Sequence, residues 1–291
     1  MPNNIGNIKE DVDLTSYNTY RINTKTKYLI EPNNKEELIN LINYINDNNI
    51  NYFILGNGSN VILSFDYYDG IIISLKNMNK YEFDNDKLHA EAGCMLPVIS
   101  KESIERSLTG LEWAIGIPGT LGASILGNAG AYLHEIMEYV ISIEVMDKQG
   151  NIKVLNKDDI TYGYRTTSFK ENKEYIILSA TLQLEQGDKE ESLALVEDRR
   201  KRRMESQPLE YPSAGSVFRN PDKEHPAGKL IEESNLKGKV IGGAKVSDKH
   251  ANFIINNGNA TSKDIIKLIN LIKKEVKDKF DIDLLCEQEI I

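Results

Sequence analysis

Glycine is concentrated in the stretch that decides the fold, Gly116-Ile117-Pro118-Gly119-Thr120-Leu121-Gly122-Ala123, which continues as Gly127-Asn128-Ala129-Gly130-Ala131-Tyr132. Five glycines in an otherwise apolar window are unfavourable for the interior of a helix or a strand. A backbone that wraps closely around a large planar or phosphorylated ligand needs this composition. The alternative is a tight crossing of helices, which also requires small residues.

A second glycine loop, Gly56-Asn57-Gly58-Ser59-Asn60, follows an apolar run that predicts a strand over residues 52–55. Glycines after a buried strand let the backbone approach a phosphate and present N–H groups to it. The loop lacks the Lys-Ser/Thr pair of a P-loop, and Val61 occupies the position of the third glycine in G-x-G-x-x-G. Alone, the loop is equally compatible with a hairpin turn around Asn57-Gly58. Two glycine loops in one half of the chain together favour a bound cofactor.

The pattern of apolar residues predicts an α+β protein without internal repeats. A helix is expected over residues 35–46, because Asn33-Asn34 can cap it and apolar residues recur at helical spacing. Further helices are predicted over residues 190–205, 228–234 and after the Thr261-Ser262 cap. Further strands are predicted over residues 61–63, 71–75, 140–146, 175–184, 252–255 and 282–291. The composition shifts at Gln186-Gly187-Asp188, so a domain boundary is expected between residues 1–187 and 188–291.

Composition and charge exclude several classes of protein. The 291 residues carry 35 Lys and Arg against 44 Asp and Glu, a net charge of −9, which disfavours binding to nucleic acid or anionic membranes. No run approaches the roughly 20 apolar residues that span a bilayer. The start, Met1-Pro2-Asn3-Asn4, has no feature of a secretory signal, so a cytoplasmic protein is expected. Cys94 and Cys286 match no metal spacing and are predicted to be buried thiols.

Two polar segments in the second half of the chain carry residues suited to chemistry. Arg165 lies between aromatic residues at a predicted turn, and arginine can recognise a carboxylate or phosphate with two hydrogen bonds. The alternative is a surface arginine stacked on tyrosine. Ser216 is not the nucleophile of a G-x-S-x-G elbow, because Phe218 stands at the last glycine and no histidine has triad context. Its hydroxyl could instead donate a proton to a developing carbanion.

The C-terminal residues 284–291 place carboxylates on the predicted final strand. Alternation would put Glu287 and Glu289 on one face with Leu285, and Gln288 on the other. A carboxyl group among buried residues would have a raised pKa and could donate a proton or hydrogen bond. The alternative is an exposed edge strand whose charges prevent aggregation.

The dense basic run over residues 199–203 lies on the predicted helix after several acidic residues. A solvated helix face is the expected outcome. Arg203 is the member that we expect to turn inward towards a pyrophosphate.

Taken together and in order, seven segments resemble the UDP-N-acetylenolpyruvoylglucosamine reductase family, also called UDP-N-acetylmuramate dehydrogenases. They are Thr19-Tyr20-Arg21, residues 56–60, residues 116–132, residues 162–165, residues 215–221, residues 227–231 and Glu287. The resemblance implies an FAD-binding domain of the vanillyl-alcohol-oxidase type over residues 1–187, with two α+β subdomains split near residue 75. It also implies a C-terminal α+β substrate-binding domain over residues 188–291. About fifty residues separate Arg165 from Ser216, which resembles the short-loop subtype of the family.

The resemblance implies an oxidoreductase of peptidoglycan precursor synthesis. It would bind FAD, oxidise NADPH and reduce UDP-N-acetylenolpyruvoylglucosamine to UDP-N-acetylmuramate. A cytoplasmic monomer without nucleic acid, membrane or metal partners is expected.

The family's functional residues are carried over where the motifs match. Arg165 matches the catalytic arginine, Ser216 the proton donor and Glu287 the catalytic glutamate. The predicted cofactor-binding residues are Gly56, Asn57, Gly58, Ser59, Asn60, Gly116, Ile117, Pro118, Gly119, Thr120, Gly122, Gly127, Gly130 and Arg203. The predicted substrate-binding residues are Tyr164, Asn220, Lys229 and His250.

Two other functions stay open on the sequence. One is an FAD-dependent sugar or alcohol oxidase of the same fold superfamily, although no histidine lies in a glycine-rich loop where many such oxidases attach flavin. The other is a non-catalytic module that binds a UDP-sugar or a flavin. That module would not require Arg165, Ser216 and Glu287 together.

Overall fold

The computed structural model describes residues 1–291, which divide into two units. The first unit comprises residues 1–10, 27–56 and 69–200, and the second comprises residues 11–26, 57–68 and 201–291. This division differs from the expected one at residue 187, because two N-terminal segments belong to the same unit as the C-terminal residues.

Seven α-helices and three single-turn 3₁₀ helices form along the chain. The α-helices are α1 (Lys35–Asp47), α2 (Leu96–Glu105), α3 (Leu121–Leu126), α4 (Ser168–Asn172), α5 (Lys189–Ser206), α6 (Ala227–Glu233) and α7 (Ser262–Phe280). The 3₁₀ helices are Thr15–Tyr17, Ile136–Glu138 and Lys157–Asp159. No helix is both long enough and apolar enough to cross a membrane.

Twenty strands, many of only two residues, make up the sheets. The first ten are β1 (Asn7–Asp13), β2 (Lys25–Glu31), β3 (Tyr52–Leu55), β4 (Val61–Ile62), β5 (Tyr67–Ser74), β6 (Tyr81–Asp84), β7 (Lys87–Glu91), β8 (Leu108–Thr109), β9 (Gly130–Ala131) and β10 (His134–Glu135). The others are β11 (Val140–Asp147), β12 (Ile152–Asn156), β13 (Tyr162–Gly163), β14 (Thr166–Thr167), β15 (Tyr175–Gln183), β16 (Glu185–Gln186), β17 (Val240–Ile241), β18 (Ala244–Val246), β19 (Ile254–Asn256) and β20 (Glu289–Ile290).

Two larger sheets provide the frame of the first unit. One has the strand order β1-β2-β5-β3 and the other the order β12-β11-β15-β7-β6. β3 and β5 pair in parallel, with Leu55 opposite Ser74, so the glycine loop begins where this ladder ends. The predicted subdivision near residue 75 falls between β5 and β6, where the chain passes from the first sheet to the second. A continuous apolar core includes side chains from α1, α2 and both sheets.

Short strands and two helices make up the second unit. β17, β18 and β19 form an antiparallel sheet, and α7 contributes Ile265, Leu268, Ile269 and Ile272 to the core. β20 pairs in parallel with β4, with Glu289 opposite Val61. The end of the chain is thereby hydrogen-bonded to the residues that follow the glycine loop over residues 56–60.

Most predicted elements are confirmed within a few residues, and the two caps are confirmed in detail. Asn34 caps α1, since its Oδ1 accepts the N–H of Glu37 at 3.0 Å. Thr261 caps α7 through its Oγ1, which accepts the N–H of Asp264 at 3.1 Å. Both caps use partners three residues away, so local sequence suffices to predict them.

Four predictions about individual segments and residues were wrong. The glycine-rich stretch contains a helix, α3, because Thr120 caps it and Leu121 and Ile125 are buried beneath it. The final strand is confined to β20 instead of covering residues 282–291. Leu285 is 64% exposed, so the leucine that alternation places beside Glu287 and Glu289 is not buried. Cys94 is a buried free thiol as expected, but Cys286 is only partly buried.

Replacing Thr261 with alanine is predicted to destabilise the second unit. The variant loses the hydrogen bond from the N–H of Asp264 to Thr261 Oγ1. The second bond of the cap, from the N–H of residue 261 to Asp264 Oδ2 (3.0 Å in the wild type), can still form. Loss of such a cap costs about 1 kcal/mol of unfolding free energy. Urea unfolding of Thr261→Ala and of Thr261→Ser, which keeps the hydroxyl, measures the effect. Equal stability of the two variants would contradict it.

Candidate active site

The loop after β3 presents backbone donors in the second unit. Gly58 has a φ of +64°, and a Cβ there would lie 2.0 Å from the carbonyl oxygen of Tyr17. The carbonyl of Gly58 accepts the N–H of Thr19 at 3.0 Å, so the loop is held close to the N-terminal segment. The N–H groups of Gly58, Ser59 and Asn60 donate to no protein acceptor. Three successive free N–H groups fit the phosphate oxygens of a dinucleotide cofactor.

Glycines of the first unit mainly permit close packing. A Cβ at Gly56 would lie 3.1 Å from the Cβ of Ala123, and one at Gly122 would lie 2.8 Å from the Cβ of Ala92. The carbonyl of Gly119 accepts the N–H of Leu96 at 2.9 Å. Packing of the α3 backbone against neighbouring segments therefore accounts for part of the glycine pattern, as the sequence alternative of a tight crossing allowed.

The turn between Ala114 and Thr120 contains the predicted contacts Gly116, Ile117 and Pro118. The N–H of Gly119 donates to the carbonyl of Ile117 at 2.8 Å, which tightens the turn. A Cβ at Gly127 would meet only the carbonyl oxygen of Ala123, at 3.7 Å, so the surface there is open.

Arg165 is held by the backbone of the glycine-rich stretch at residues 127–132. It joins β13 to β14 with a φ of +59°, a left-handed conformation that is uncommon for arginine. Its Nη2 donates to the carbonyl of Gly130 at 2.6 Å and its Nη1 to that of Asn128 at 3.4 Å. The guanidinium also lies 5.0 Å from the ring centroid of Tyr164. The expected stacking on tyrosine and a fixed position beside the glycine stretch therefore occur together.

Asn128 connects the glycine-rich stretch to the segment that carries Arg165. The sequence pattern did not single it out as a site residue. It is fully buried, and its Nδ2 donates to the carbonyl of Gly163 at 2.9 Å. Its Oδ1 accepts the N–H of Met137 at 3.3 Å. The backbone of Asn128 has a φ of +42°, which asparagine tolerates better than most residues. An asparagine between two glycines was the only sequence signal for this role.

Glu112 is a second residue that the sequence analysis missed. Only 5% of it is exposed, yet its carboxylate accepts hydrogen bonds from Thr109 Oγ1 at 2.6 Å, Gly110 N at 3.0 Å and Ser192 Oγ at 2.7 Å. Burial alone would raise the pKa of Glu112, but these hydrogen bonds outweigh it and lower the pKa. An ionised carboxylate therefore ties the start of the glycine-rich stretch to α5.

Ser216 and Glu287 lie on neighbouring segments of the second unit. Ser216 forms an antiparallel bridge with Phe253, and Phe218 forms one with Cys286. The N–H of Glu287 donates to the carbonyl of Val217 at 2.8 Å. Both predicted catalytic residues are half-buried. Two residues separated by 71 positions are thus brought to the same short three-stranded arrangement.

Glu287 also contacts the glycine loop over residues 56–60. Its carbonyl oxygen accepts a hydrogen bond from Asn60 Nδ2 at 3.2 Å, and the N–H of Glu289 donates to the carbonyl of Asn60 at 3.0 Å. The predicted cofactor loop over residues 57–60 and the predicted catalytic glutamate therefore share one hydrogen-bonded framework within the second unit.

The predicted substrate residues of the second unit gather near α6. Asn220 Oδ1 accepts the N–H of Ala227 at 3.0 Å, at the beginning of the helix. Lys229 is exposed, with its Nζ 3.9 Å from Glu233 Oε1. A Cβ at Gly228 would lie 3.5 Å from Cε1 of His250. Tyr164, the fourth predicted substrate residue, belongs to the first unit and is 49% exposed.

His250 is held in one protonation state. Its Nδ1 accepts the N–H of Asn252 at 3.2 Å, so this nitrogen must be unprotonated and Nε2 carries the proton. Burial lowers the pKa of His250, which favours the neutral ring at pH 7. A neutral imidazole can donate one hydrogen bond to a ligand from Nε2.

Arg203 lies near the C-terminal end of α5 and is half-buried. Its Nε donates to Gln207 Oε1 at 3.1 Å. Arg200, Lys201 and Arg202 are exposed, so most of the basic run forms the solvated face that was expected.

Replacing Glu112 with glutamine is predicted to lower the free energy of unfolding at neutral pH. It should also make that free energy change less between neutral and acidic pH. Because the folded-state pKa is lowered, the carboxylate contributes stability above about pH 4.3 that is lost as the pH falls through the folded value. Removing this charged acceptor costs about 1–3 kcal/mol. Urea unfolding of both proteins near neutral and acidic pH measures the difference. Glu190→Gln, at an exposed site, is the control, and parallel curves for wild type and Glu112→Gln would contradict the prediction.

Comparison with known proteins identifies two domain families in the chain. Residues 26–156 match the model of an FAD binding domain, and residues 207–291 match that of the UDP-N-acetylenolpyruvoylglucosamine reductase C-terminal domain. The chain is similar to the UDP-N-acetylenolpyruvoylglucosamine reductases of Caldanaerobacter subterraneus subsp. tengcongensis (44% identity, covering 94% of this chain and 90% of that one) and Clostridium botulinum strain Eklund 17B (42%, covering 98% and 93%).

A solved structure gives the same result. The crystal structure of UDP-N-acetylenolpyruvylglucosamine reductase from Thermus caldophilus superposes with a TM-score of 0.83 at 29% identity, covering 98% of this chain and 99% of that one. The predicted combination of an FAD-binding domain and a C-terminal α+β domain is thereby confirmed. The chain belongs to the UDP-N-acetylenolpyruvoylglucosamine reductase family.

Proposed function

We propose that the protein is an FAD-containing oxidoreductase that reduces UDP-N-acetylenolpyruvoylglucosamine to UDP-N-acetylmuramate with NADPH, for peptidoglycan synthesis. The observation that carries the proposal is the meeting of Ser216, Glu287 and the 57–60 loop in one hydrogen-bonded framework. Membership of the family over nearly the whole chain supports the substrate and the cofactor. The choice of NADPH rests on the family resemblance.

Several residues suit the binding of FAD. The free N–H groups of Gly58, Ser59 and Asn60 would donate to the pyrophosphate, where Arg203 could add positive charge. The stretch over residues 116–130 would lie against the remainder of the cofactor. When bound, FAD supplies the chemistry that carries a hydride from the nicotinamide to the enol ether.

Arg165, Glu287 and Ser216 would have separate roles in the reduction. Negative charge develops on C2 of the enolpyruvyl group and spreads into its carboxylate. Arg165 would pair with that carboxylate, and a protonated Glu287 would donate a hydrogen bond to it. Both interactions strengthen as charge develops, so they lower the barrier. Ser216 would then protonate C2 and set the configuration of the lactyl group.

The residues near α6 suit a UDP-sugar. Lys229 is an exposed cation that could approach the diphosphate, and His250 could donate from Nε2 to a phosphate or sugar oxygen. Asn220 keeps its Nδ2 for a ligand while Oδ1 holds the start of the helix. Tyr164 would contribute an aromatic surface to the substrate.

A cytoplasmic monomer without nucleic acid or membrane partners is the setting we propose. The net charge of −9 supports the absence of nucleic acid, because binding to phosphates requires concentrated positive charge. Neither Cys94 nor Cys286 is in a disulfide, which is consistent with a reducing compartment.

An anaerobic titration tests the function. The yellow protein is reduced with one equivalent of NADPH, and UDP-N-acetylenolpyruvoylglucosamine is added while flavin absorbance is followed. Prompt reoxidation by this compound, and none by UDP-N-acetylglucosamine, is expected. Flavin that stays reduced until air is admitted would favour the oxidase. A protein that binds FAD and is never reduced would favour the binding module.

Replacing Ser216 with alanine is predicted to separate the two half-reactions. Reduction by NADPH needs no proton from Ser216 and should be unchanged. Reoxidation by the enol ether should slow by about 10²–10³-fold, the typical cost of losing one such donor. Stopped-flow absorbance measures each half-reaction, with Ser213→Ala as the control in the same loop. An equal loss in both half-reactions would contradict the proton-donor role.

Replacing Arg165 with lysine is predicted to slow reoxidation even though the charge is kept. Lysine is a point charge that cannot reproduce paired hydrogen bonds to a carboxylate, nor the contacts to the carbonyls of Asn128 and Gly130. We expect a loss of about 10-fold or more in the substrate half-reaction. Arg106→Lys is the control, because Arg106 is an exposed arginine at the C-terminal end of α2. Full activity of Arg165→Lys and Glu287→Ala would refute both assignments.

A further inference from the structure

A buried amide lies beside the predicted catalytic glutamate. Gln288 is only 4% exposed, and the three hydrogen bonds of its side chain are all to other residues of the protein. Its Nε2 donates to the carbonyls of Ala214 at 3.0 Å and Gly215 at 3.3 Å, and its Oε1 accepts the hydroxyl of Tyr20 at 3.0 Å. Tyr20 is fully buried. The pair therefore joins the N-terminal segment, the residues before Ser216 and the residue after Glu287.

The amide has a single favourable orientation. The two carbonyl oxygens can only accept, so Nε2 must face them and Oε1 must face Tyr20. The hydroxyl of Tyr20 must therefore donate the hydrogen bond to Oε1. Burial raises the pKa of Tyr20 well above its ordinary value, which keeps that proton in place. The backbone of Tyr20 is fixed as well, because Asn256 Nδ2 donates to its carbonyl at 2.9 Å.

The backbone after Ser216 is held independently of this pair. Asn252 Oδ1 accepts the N–H of Phe218 at 3.0 Å, and its Nδ2 donates to the carbonyl of Phe218 at 2.8 Å. The N–H of Val217 donates to the carbonyl of Asn252 at 2.9 Å. These contacts fix residues 217–218 like a strand in a sheet.

The backbone before Ser216 makes fewer hydrogen bonds, although the side chain of Ala214 is buried in the core of the second unit. Gly215 has a φ of +74°, and a Cβ there would have no atom within 4 Å. The carbonyls of Ala214 and Gly215 accept hydrogen bonds only from Gln288. The position of the Ser216 hydroxyl therefore depends on Gln288 on one side and on the strand-like contacts on the other.

We propose that Gln288, oriented by the hydroxyl of Tyr20, is a positioning residue that aligns the Ser216 loop with Glu287 for proton transfer to the substrate. The proposal rests on the proposed function, since it assumes that Ser216 is the proton donor. Gln288 touches neither substrate nor cofactor in this role. It acts by fixing the peptide groups before Ser216 from the residue next to Glu287.

The first test compares Gln288→Met with wild type in both half-reactions. Methionine keeps the approximate volume but removes every hydrogen bond of the amide. We expect reduction by NADPH to be unchanged and reoxidation by the enol ether to slow by about 10–100-fold, because a small misplacement of a reacting group can cost about 10² in rate. The solvent isotope effect on reoxidation in D₂O should increase, since proton transfer becomes slower. Gln183→Met, which removes a side-chain bond to Leu184 in the first unit, is the matched control.

The double variant separates catalysis from stability. Gln288→Met alone leaves the hydroxyl of Tyr20 buried without an acceptor, so it should lower the midpoint of thermal unfolding. Tyr20→Phe with Gln288→Met removes both polar partners and should recover much of that stability. Reoxidation should remain slow in the double variant, because the carbonyls of Ala214 and Gly215 still lack their donor. Tyr20→Phe should have little additional effect on the rate once Gln288 is replaced, since the two act through one hydrogen bond.

Each result has a defined meaning. If Ser216→Ala slows reoxidation but Gln288→Met does not, the positioning role is overturned and the proposed function stands. If Ser216→Ala has no effect, the proposed proton donor itself is wrong. Equal losses in both half-reactions of Gln288→Met, or recovery of the rate together with stability in the double variant, would show a purely structural role. If Gln288→Met does not fold, Tyr20→Phe decides, and an unchanged reoxidation rate and isotope effect there would overturn the proposal.

Discussion

The backbone of residues 216–219 is hydrogen-bonded on both sides, and the second unit's part of the site depends on this arrangement. One neighbour is the segment at Asn252 and Phe253, and the other is the C-terminal segment at 285–287. Because backbone groups and the Asn252 side chain make these contacts, the arrangement constrains side-chain direction without using the Ser216 or Glu287 side chains. Ser216 and Glu287 are both half-buried within this arrangement.

Polar side chains with no assigned chemistry complete the frame in both units. Asn128 and Glu112 each connect a glycine-rich segment to a second element in the first unit, and Gln288 does so in the second. Burying such groups is unfavourable unless their hydrogen bonds are made, and here they are made to backbone or hydroxyl partners. A buried amide or carboxylate of this kind can specify loop geometry more narrowly than apolar packing does.

Prediction from sequence succeeded where the relevant partners are close along the chain. The caps at Asn34 and Thr261, the strand before Gly56 and the amphipathic helix over residues 35–47 depend on neighbours within a few positions. It failed at the C-terminus, where alternation suggested a long strand that would bury the face carrying Leu285. The partners there come from β4 and from residues 216–219, and they allow only a two-residue strand.

The amino-acid sequence by itself predicted the kinds of chemistry that we propose: glycine loops for a phosphorylated cofactor, an arginine for a carboxylate, a serine as proton donor and a glutamate as hydrogen-bond donor. It also determined α1 and α7, because their caps and apolar periodicity are local. Only the tertiary structure decided that residues 11–26 and 57–68 belong with the C-terminal segment. It alone brought Tyr20 to Gln288, 268 positions away, since a hydrogen bond between distant residues leaves no periodic pattern in the chain.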